Sequence, residues 1–293
     1  MTPVVQIVAD SVNAFNGKRL TTFYVEYERF FHQEVLTHGA LCRNSASSRA
    51  IPTATLAARI ADDPVLPTFV GVNCKGMAAA EQLAGDELQE FYDDVTSLAG
   101  SALWFANKWG GRVHKQNVNR YLEPFMPIGV VVSGTEWGNF FHLRYCPDAE
   151  PHFARLAGMM HDALWNNTPA LLMGENDVHA PYLTADDWEY FGRCGWTMKE
   201  CLFVSATRCA RASFFRAGDG SDKTLEEERD RGQELCARGH WSPLEHQARA
   251  ADVPCDYVSG RLRGFEQFRS MFTGENVEEV FAPSHYKERW NGR

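Results

Sequence analysis

The chain has 293 residues, of which 44% are hydrophobic, 12% aromatic and 23% charged. A chain of this length buries roughly 75% of its unfolded surface, so it needs no disulfide or metal staple, and its composition excludes disordered, collagen-like and coiled-coil proteins. The 38 Asp and Glu residues outnumber the 29 Lys and Arg residues, and the resulting net charge of -9 disfavours a polynucleotide partner.

Two segments rich in β-branched and aromatic residues, 4–8 and 21–27, predict strands joined by the turn region 13–18. Apolar residues then recur at spacings of three and four between positions 78 and 107, which predicts a long amphipathic helix. Residues 117–125 predict a further helix that ends where two prolines follow.

The apolar run 128–132 fits either a buried strand or the apolar face of a helix, and the sequence does not decide between them. A second clear helix is predicted to begin at Pro147 and Asp148. Its apolar residues fall on one face, which is typical of a scaffold helix that packs on a core. The residues on that face are Phe153, Leu156, Ala157, Met160 and Leu164.

The segment 166–196 mixes Asn, Pro, Gly and aromatic residues, which predicts a linking excursion with a short helix beginning at Thr184. We expect residues 1–293 to form a single domain, and any subdivision to fall near 166–200. Residues 201–215 are predicted as strand and turn. Thr224, followed by three glutamates in a first turn, predicts a helix that Gly239 closes.

The eight cysteines are spread singly, and the chain contains no CxxC pair, no pattern of a secretory leader and no apolar run long enough to span a bilayer. We therefore expect reduced thiols, a cytoplasmic location and no membrane segment. No cysteine has neighbours that mark a nucleophile, although Cys255 is distinguished by following a proline. Dinucleotide, P-loop and GxSxG hydrolase motifs are absent from the sequence as well.

Residues 37–49 (THGALCRNSASSR) combine hydroxyls, an amide, a histidine and two guanidiniums with almost nothing to bury. Because arginine offers two parallel donors and a fixed charge, such a segment suits a phosphate or a pyrimidine edge. The alternative is a solvated loop without a ligand, since most loops of this composition bind nothing. The residue types alone leave both interpretations open.

Residues 239–246 (GHWSPLEH) follow the helix predicted from Thr224. Their Ser-Pro-x-Glu run fits the capped start of a new helix or a loop that contacts a ligand, and both interpretations stay open. The two histidines are six residues apart rather than four, and no third ligand has suitable spacing, so no metal site is expected.

Arg144 lies among the bulky apolar residues Phe141 and Leu143. Burying a guanidinium without an anionic partner is costly, so Arg144 is either salt-bridged within the fold or available to a ligand. Arg120, in the run NRYLEP, is likewise either salt-bridged within the fold or available to a ligand. Glu123 is too close in sequence to decide between these two interpretations.

Taken together, these segments resemble the family of flavin-dependent thymidylate synthases (ThyX). Residues 37–49 are similar to the family signature RHRxxSxNxxSxR. The matching positions are His38, Asn44, Ser47 and Arg49.

Four further segments resemble other motifs of the family. Residues 139–144 (NFFHLR) resemble its NFxxLR, and Arg120 before Pro124 resembles its RxxxP. Residues 205–213 and 239–246 resemble its AARVS and GHx[ST]PFEH motifs. The resemblance touches most of the chain.

The resemblance implies an α+β fold in which a mixed or antiparallel sheet packs with long helices, and it implies a homotetramer. The implied reaction is C5-methylation of a small-molecule nucleotide, a uridine monophosphate (dUMP or UMP). Methylenetetrahydrofolate would supply the carbon, reduced FAD the hydride, and NADPH the electrons that regenerate the flavin. No enzyme cysteine attacks the base in this family, which agrees with the absence of an activated thiol.

The resemblance also implies roles for individual residues. Arg144 would hold the pyrimidine and favour ionisation at N3, since a positive charge stabilises the developing anion. Arg144, Arg49 and Ser47 are therefore the predicted catalytic residues. The predicted substrate-binding residues are Ser45, Ser47, Arg49, Arg120 and Arg144. The residues predicted to lie near flavin or folate are His38, Asn44, Ser45, Asn139, His240 and Ser242.

The sequence departs from the signature where Thr37 and Gly39 replace two arginines and Cys42 replaces the first serine. The GHxSP segment follows the signature here instead of preceding it. That circularly permuted order resembles the branch of the family that includes the uridylate C5-methylase of the polyoxin pathway. We hypothesise that side chains clustered after the His240 segment replace the lost guanidiniums; the candidates are Arg261, Arg263, Gln267 and Arg269. The alternative is a flavin- or nucleotide-binding homologue that has lost catalysis.

Overall fold

The computed structural model describes residues 1–79, 81–174, 176–211 and 223–272, and these ranges form an α+β fold. The strands of its main sheet are β1 (Val4–Asn13), β2 (Arg19–Glu28), β3 (Cys42–Ser45), β4 (Pro127–Gly134) and β5 (Ala170–Leu172). Two smaller sheets contain β6 (Val178–His179), β7 (Ala248–Arg249), β8 (Val258–Ser259), β9 (Leu262–Arg263) and β10 (Glu266–Gln267).

The helices of the described ranges surround these sheets. They are α1 (His32–Val35), α2 (Thr53–Asp62), α3 (Gly85–Trp109), α4 (Lys115–Val118), α5 (Gly138–Arg144), α6 (Pro151–Asn166), α7 (Ala185–Cys194), α8 (Met198–Ala210) and α9 (Leu225–Ala237). None of the described helices is both long and apolar enough to cross a membrane.

The main sheet has the strand order β3-β4-β2-β1-β5. All neighbours are antiparallel except β1 and β5, so the sheet is mixed, as predicted. The two strands predicted at the beginning of the chain are confirmed as the hairpin β1–β2. The undecided run 128–132 lies in β4, which pairs on both sides and is buried over most of its length. β-branched residues such as its three valines suit a strand covered on both faces.

One face of the main sheet is apolar and packs against α5 and α6. Phe23 on β2 and Val132 on β4 belong to this core, together with Phe140 on α5 and Phe153 on α6. The predicted second helix is confirmed as α6, although it begins at Pro151, where the carboxylate of Glu150 accepts the backbone N–H of Phe153. Proline suits that first helical position because its missing N–H would have no partner there.

The other face of the main sheet carries hydroxyls beneath two buried histidines. The Thr22 and Ser133 hydroxyl oxygens are 2.6 Å apart. Thr22 Oγ1 lies 2.8 Å from His179 Nε2, and Ser133 Oγ lies 2.8 Å from His246 Nδ1. His179 Nδ1 is 3.0 Å from Ser11 Oγ. These side chains thus form one continuous hydrogen-bonded chain between the sheet and the residues that cover it.

The long helix predicted over 78–107 is confirmed as α3, but it begins at Gly85. Before it, the backbone doubles back, and the N–H of Val72 donates to the carbonyl of Glu81. Only two residues of α3 are buried, whereas the Leu98 and Trp104 side chains are 61% and 62% exposed. Most of this helix therefore faces solvent in the single chain.

The prediction of strand and turn over 201–215 is wrong for the part that the structure describes. Residues up to 210 form α8, which Thr197 and Glu200 cap reciprocally. Most residues of α8 are buried, so no periodic polar face distinguishes this helix from a buried strand in the sequence. Residues 212–215 lie outside the described ranges.

The remaining helix predictions are mostly confirmed. Thr184 caps α7, and Thr224 caps α9, which ends two residues before Gly239 at φ +74°. In the predicted helix 117–125, only α4 is α-helical, and single 3-10 turns follow at Asn119–Tyr121 and Glu123–Phe125.

Candidate functional site

The segment 37–49 consists of a turn, a strand and a second turn. In the first turn the N–H of Leu41 donates to the carbonyl of His38 at 3.2 Å. The strand β3 is an edge of the main sheet and pairs only with β4 among the described residues. A 3-10 turn at Ser48–Ala50 follows. Exposure along this segment is uneven: Thr37, Gly39, Ala40, Ser47 and Arg49 are exposed, whereas His38, Leu41, Cys42 and Ser48 are buried.

Arg144 ends α5 and reaches the first turn of this segment. Its Nε donates to His38 Nε2 at 2.8 Å, its Nη2 donates to the Thr37 hydroxyl at 3.2 Å, and its Nη1 lies 3.3 Å from Glu34 Oε2. The guanidinium also stacks over the ring of Phe153, 4.8 Å from its centroid. Arg144 is therefore salt-bridged within the fold and also held at the signature segment.

His38 is a neutral acceptor in this arrangement. Its Nε2 accepts the Arg144 proton, so the ring proton is assigned to Nδ1. Burial lowers the pKa of His38, and the charges of Arg144 and Arg43 lower it further. A neutral imidazole therefore orients Arg144 without competing with it for a negatively charged ligand.

A cavity of about 170 Å³ opens beside Arg144. Its lining includes His38, Gly39, Glu136, Asn139 and Arg144. His38 from one predicted motif, and Asn139 and Arg144 from a second, thus meet at one concave surface.

The middle of the segment contacts the 239–246 motif. The Asn44 side chain donates to the carbonyl of Cys209 at 2.8 Å, and the Ser242 hydroxyl donates to the Asn44 carbonyl oxygen at 3.1 Å. His240 is exposed just beyond α9. Residues Ser242–Glu245 form a single 3-10 turn instead of the start of a new helix. Two predicted cofactor residues, Asn44 and Ser242, are therefore brought into contact.

The far end of the segment lies against the Arg120 region. Glu123 Oε1 accepts the Ser48 hydroxyl at 2.5 Å, and it lies 2.9 Å from both Arg120 and Arg29. The Arg120 side chain is nevertheless 53% exposed. Of the other predicted substrate residues here, Ser47 and Arg49 are exposed and Ser45 is half-buried at the end of β3.

Asn119 joins this turn to the rest of the fold. Its side-chain amide donates to the carbonyls of Ser48 and Ile51 at 2.8 and 3.0 Å, and its carbonyl oxygen accepts the Thr53 hydroxyl at 2.7 Å. Asn119 is fully buried. Sequence reasoning missed this residue, and only its position next to Arg120 could have drawn attention to it.

Replacing Asn119 with alanine is expected to lower the free energy of unfolding by about 2–4 kcal/mol, because several buried partners lose their hydrogen bonds at once. Urea denaturation monitored by circular dichroism would measure the change. The matched control is Asn117→Ala, since Asn117 is exposed two residues earlier. An Asn119 variant as stable as that control would contradict the structural role.

The candidates for replacing the missing arginines lie in different surroundings. Arg261 donates to the carbonyl of Leu41 at 3.2 Å, and the Gln267 amide lies 3.2 Å from the thiol of Cys42. Arg269 is ion-paired with Glu245, and Arg263 donates to the carbonyl of Asp256. Arg261 and Gln267 therefore contact the signature segment directly.

The buried thiols are unsuited to nucleophilic catalysis. Burial raises the pKa of Cys42 to about 12 and that of Cys201 to about 11. A thiol so far from ionisation provides almost no thiolate at neutral pH. Within the described ranges, no group of three or more His, Cys, Asp or Glu residues is placed to hold a metal ion.

A larger cavity of about 510 Å³ lies between β1 and the helices α8 and α9. Arg208 lines it and belongs to the 205–213 segment, of which residues 212 and 213 lie outside the described ranges. The Arg208 guanidinium is ion-paired with Asp187 at 2.6 Å and with Glu228 at 2.8 Å. Its charge is thus neutralised within the fold.

Comparison with known proteins gives partial structural similarity. No family model and no curated protein matches the sequence. The structure of the UMP/dUMP methylase PolB from Streptomyces cacaoi bound with 5-Br UMP is similar over 55% of this chain and 88% of that chain, with 13% identity and a TM-score of 0.45. The structure of the same enzyme bound with 5-Br dUMP covers 51% of this chain and 67% of that chain, with 16% identity and a TM-score of 0.40.

Proposed function

We propose that this chain catalyses the C5-methylation of a uridine monophosphate, dUMP or UMP, in a flavin-dependent reaction that uses methylenetetrahydrofolate and NADPH. The observation that carries the proposal is the convergence of separate motifs on the segment 37–49. Arg144 and Asn139 meet His38 at its beginning, and Ser242 contacts Asn44 in its middle. Residues distant in sequence but similar to motifs of one family would then serve one site.

Arg144 would be the principal residue for substrate activation. A guanidinium beside the pyrimidine stabilises negative charge at N3, and the C5 carbon becomes more nucleophilic as that charge develops. Glu34 and His38 each bond a different nitrogen of the guanidinium, so they would hold it in a fixed orientation. Preorganised charge of this kind costs little rearrangement when the substrate reacts.

The residues present fit FAD and a nucleotide in their donor chemistry. Asn44 and Ser242 provide amide and hydroxyl groups that bond each other beside β3. Ser47, Arg49 and His240 are exposed in the same two segments. When bound, the reduced flavin would supply the hydride. Phosphate groups would be held by Arg49 and Arg120, whose planar guanidiniums suit bidentate contacts.

The size of the cavity supports a site completed by another copy of the chain. A volume of about 170 Å³ is below the roughly 300–1,000 Å³ typical of small-molecule pockets, so it suits a ring or a phosphate better than a whole dinucleotide. We propose a homotetramer in which subunits share the flavin. The exposed apolar side chains of α3, such as Leu98 and Trp104, are suited to contacts between subunits.

The test begins with the colour of the purified protein and its uptake of added FAD. Tritium release from C5-tritiated dUMP and UMP, with methylenetetrahydrofolate and NADPH present, would then measure turnover and choose between the substrates. We expect a yellow protein that releases tritium from at least one of them. A colourless protein that takes up no FAD would overturn the enzyme proposal.

A second candidate is a flavin- or nucleotide-binding homologue without catalysis. The absence of arginine at Thr37 and Gly39 favours it, since two guanidiniums of the signature are missing. The same assay separates the two functions. FAD binding without tritium release from either nucleotide would support the binding protein.

A further inference from the structure

Three guanidiniums from outside the first signature turn converge on residues 35–41. Arg43 donates to the carbonyls of Val35 and His38 at 2.9 and 3.0 Å. Arg261, in the turn between β8 and β9, donates to the carbonyl of Leu41 at 3.2 Å. Arg144 donates to the His38 ring. The turn that lacks its own arginines is thus surrounded by arginines from three other elements.

Two of these guanidiniums have no carboxylate partner in the described part of the chain. Arg144 is paired with Glu34, but Arg43 and Arg261 bond only to main-chain carbonyls there. The carboxylates nearby are otherwise engaged, since Glu136 pairs with Lys18 and Glu245 with Arg269. An excess of positive charge therefore remains at this turn in a chain whose net charge is -9.

The two unpaired guanidiniums repel one another. Burial lowers the pKa of Arg43, and the charge of Arg261 lowers it further, while the carboxylate of Glu245, which is ion-paired with Arg269, acts in the opposite direction. Arg43 is half-buried, and holding an unpaired charge there is costly. An anion bound between the two arginines would relieve both the repulsion and the cost of burial.

Space for such an anion exists at the turn. Gly39 is exposed, and a Cβ added to it would meet no atom within 4 Å. Arg43 and Arg261 do not themselves line the cavity of about 170 Å³, but His38 and Leu41, whose carbonyls they bond, do. Arg261 is exposed to solvent. A phosphoryl group of a larger ligand can therefore approach from outside without displacing buried side chains.

We propose that Arg43 and Arg261 form a binding site for a phosphate ester at the 38–41 turn. They would take the place of the guanidiniums missing at Thr37 and Gly39. The identity of the ligand rests on the proposed function, under which the phosphate belongs either to FAD or to the uridine monophosphate. Both sources share the same anionic chemistry, which a planar guanidinium binds through two parallel donors.

Inorganic pyrophosphate is the first probe, because its binding does not depend on catalysis. Isothermal titration of the full-length protein is expected to show binding that weakens about tenfold in Arg261→Gln, the loss of one charge-assisted contact. The control is Arg112→Gln, which removes an exposed guanidinium that stacks on Trp109 and is expected to bind as the wild type does. No pyrophosphate binding by the wild type, or equal binding by Arg261→Gln, would overturn the proposal.

Arg43→Gln is the second variant, with its thermal midpoint measured first because Arg43 bonds two carbonyls of the fold. Titrations with FAD, with UMP and with dUMP then identify the source of the phosphate. If Arg261→Gln weakens the binding of FAD alone, the phosphate belongs to the dinucleotide. If it weakens the binding of UMP or dUMP alone, the phosphate belongs to the nucleotide. Each result supports the site. Pyrophosphate binding that depends on Arg261, in a protein that binds neither FAD nor UMP nor dUMP, would support the anion site and reject the proposed function.

Discussion

Replacing Arg144 with glutamine is expected to lower tritium release from the C5-labelled nucleotide by about 10²–10³-fold, the usual loss when one preorganised electrostatic group is removed. Glutamine keeps some polarity but carries no charge to stabilise the pyrimidine anion. Arg144→Lys retains the positive charge but lacks the planar guanidinium whose three nitrogens contact Glu34, Thr37 and His38. We expect it to fall between the wild type and the glutamine variant.

The loss in Arg144→Gln must be separated from unfolding. The Glu34 side chain is 41% exposed, so the ion pair adds little to stability, and the thermal midpoint of the variant is expected to stay close to that of the wild type. Arg112→Gln provides a matched control, because Arg112 is exposed and stacks on Trp109 at a distance from the signature segment in the sequence. Tritium release by Arg144→Gln equal to that of the control would reject the role assigned to Arg144.

The elements that the sequence predicted correctly are those with a clear period or a clear cap. The hairpin β1–β2 has strands rich in β-branched and aromatic residues with a turn between them, and α9 has Thr224 as a cap. The undecided element, β4, and the wrongly predicted one, α8, are both buried over most of their length. Neither β4 nor α8 has a polar face, so the spacing of apolar residues does not distinguish a strand from a helix there. Tertiary packing decides the backbone conformation.

The candidate site was predictable only as far as its residues share local motifs. His38, Asn44 and Arg144 could be singled out because the residues around them form recognisable patterns. Glu34 stands in no such pattern and joins the site through tertiary contacts alone. Arg261 was a candidate only as a member of a cluster that follows the His240 segment, and the sequence could not say which member contacts residues 37–49. Even where a pattern exists, as at Arg120, the sequence could not tell a salt bridge from a free guanidinium, and the structure shows one that is paired yet half-exposed.

The buried histidine pair makes the folded chain sensitive to acid. His179 and His246 are 1% and 0% exposed, and burial lowers the pKa of each to about 3. Thr22 and Ser133 link the two rings through hydroxyls that serve as donor or acceptor, so both imidazoles are neutral in the native state. Protonating either ring would place an unpaired charge inside the fold.

The free energy of unfolding is therefore expected to fall as the pH drops below about 6.5, the ordinary histidine pKa that applies in the unfolded chain. Between about pH 6.5 and pH 3, the two histidines bind protons in the unfolded state but not in the native state. At pH 5 each histidine is expected to cost about 2 kcal/mol relative to pH 8, so the pair costs about 4 kcal/mol. That is a large part of the roughly 5–15 kcal/mol by which domains are stable.

Urea denaturation at pH 8 and pH 5 would measure this difference in the wild type and in His246→Gln. His32, whose pKa burial lowers to about 4, adds to the difference in both proteins, so the comparison isolates His246. We expect the difference between the two pH values to shrink by about 2 kcal/mol in the variant, even though the variant is less stable at pH 8. The matched control is His142→Gln, since His142 is exposed and is hydrated in both states. If His246→Gln kept the full pH dependence of the control, the neutral buried imidazole would be disproved, because no proton uptake on unfolding would then be assignable to it.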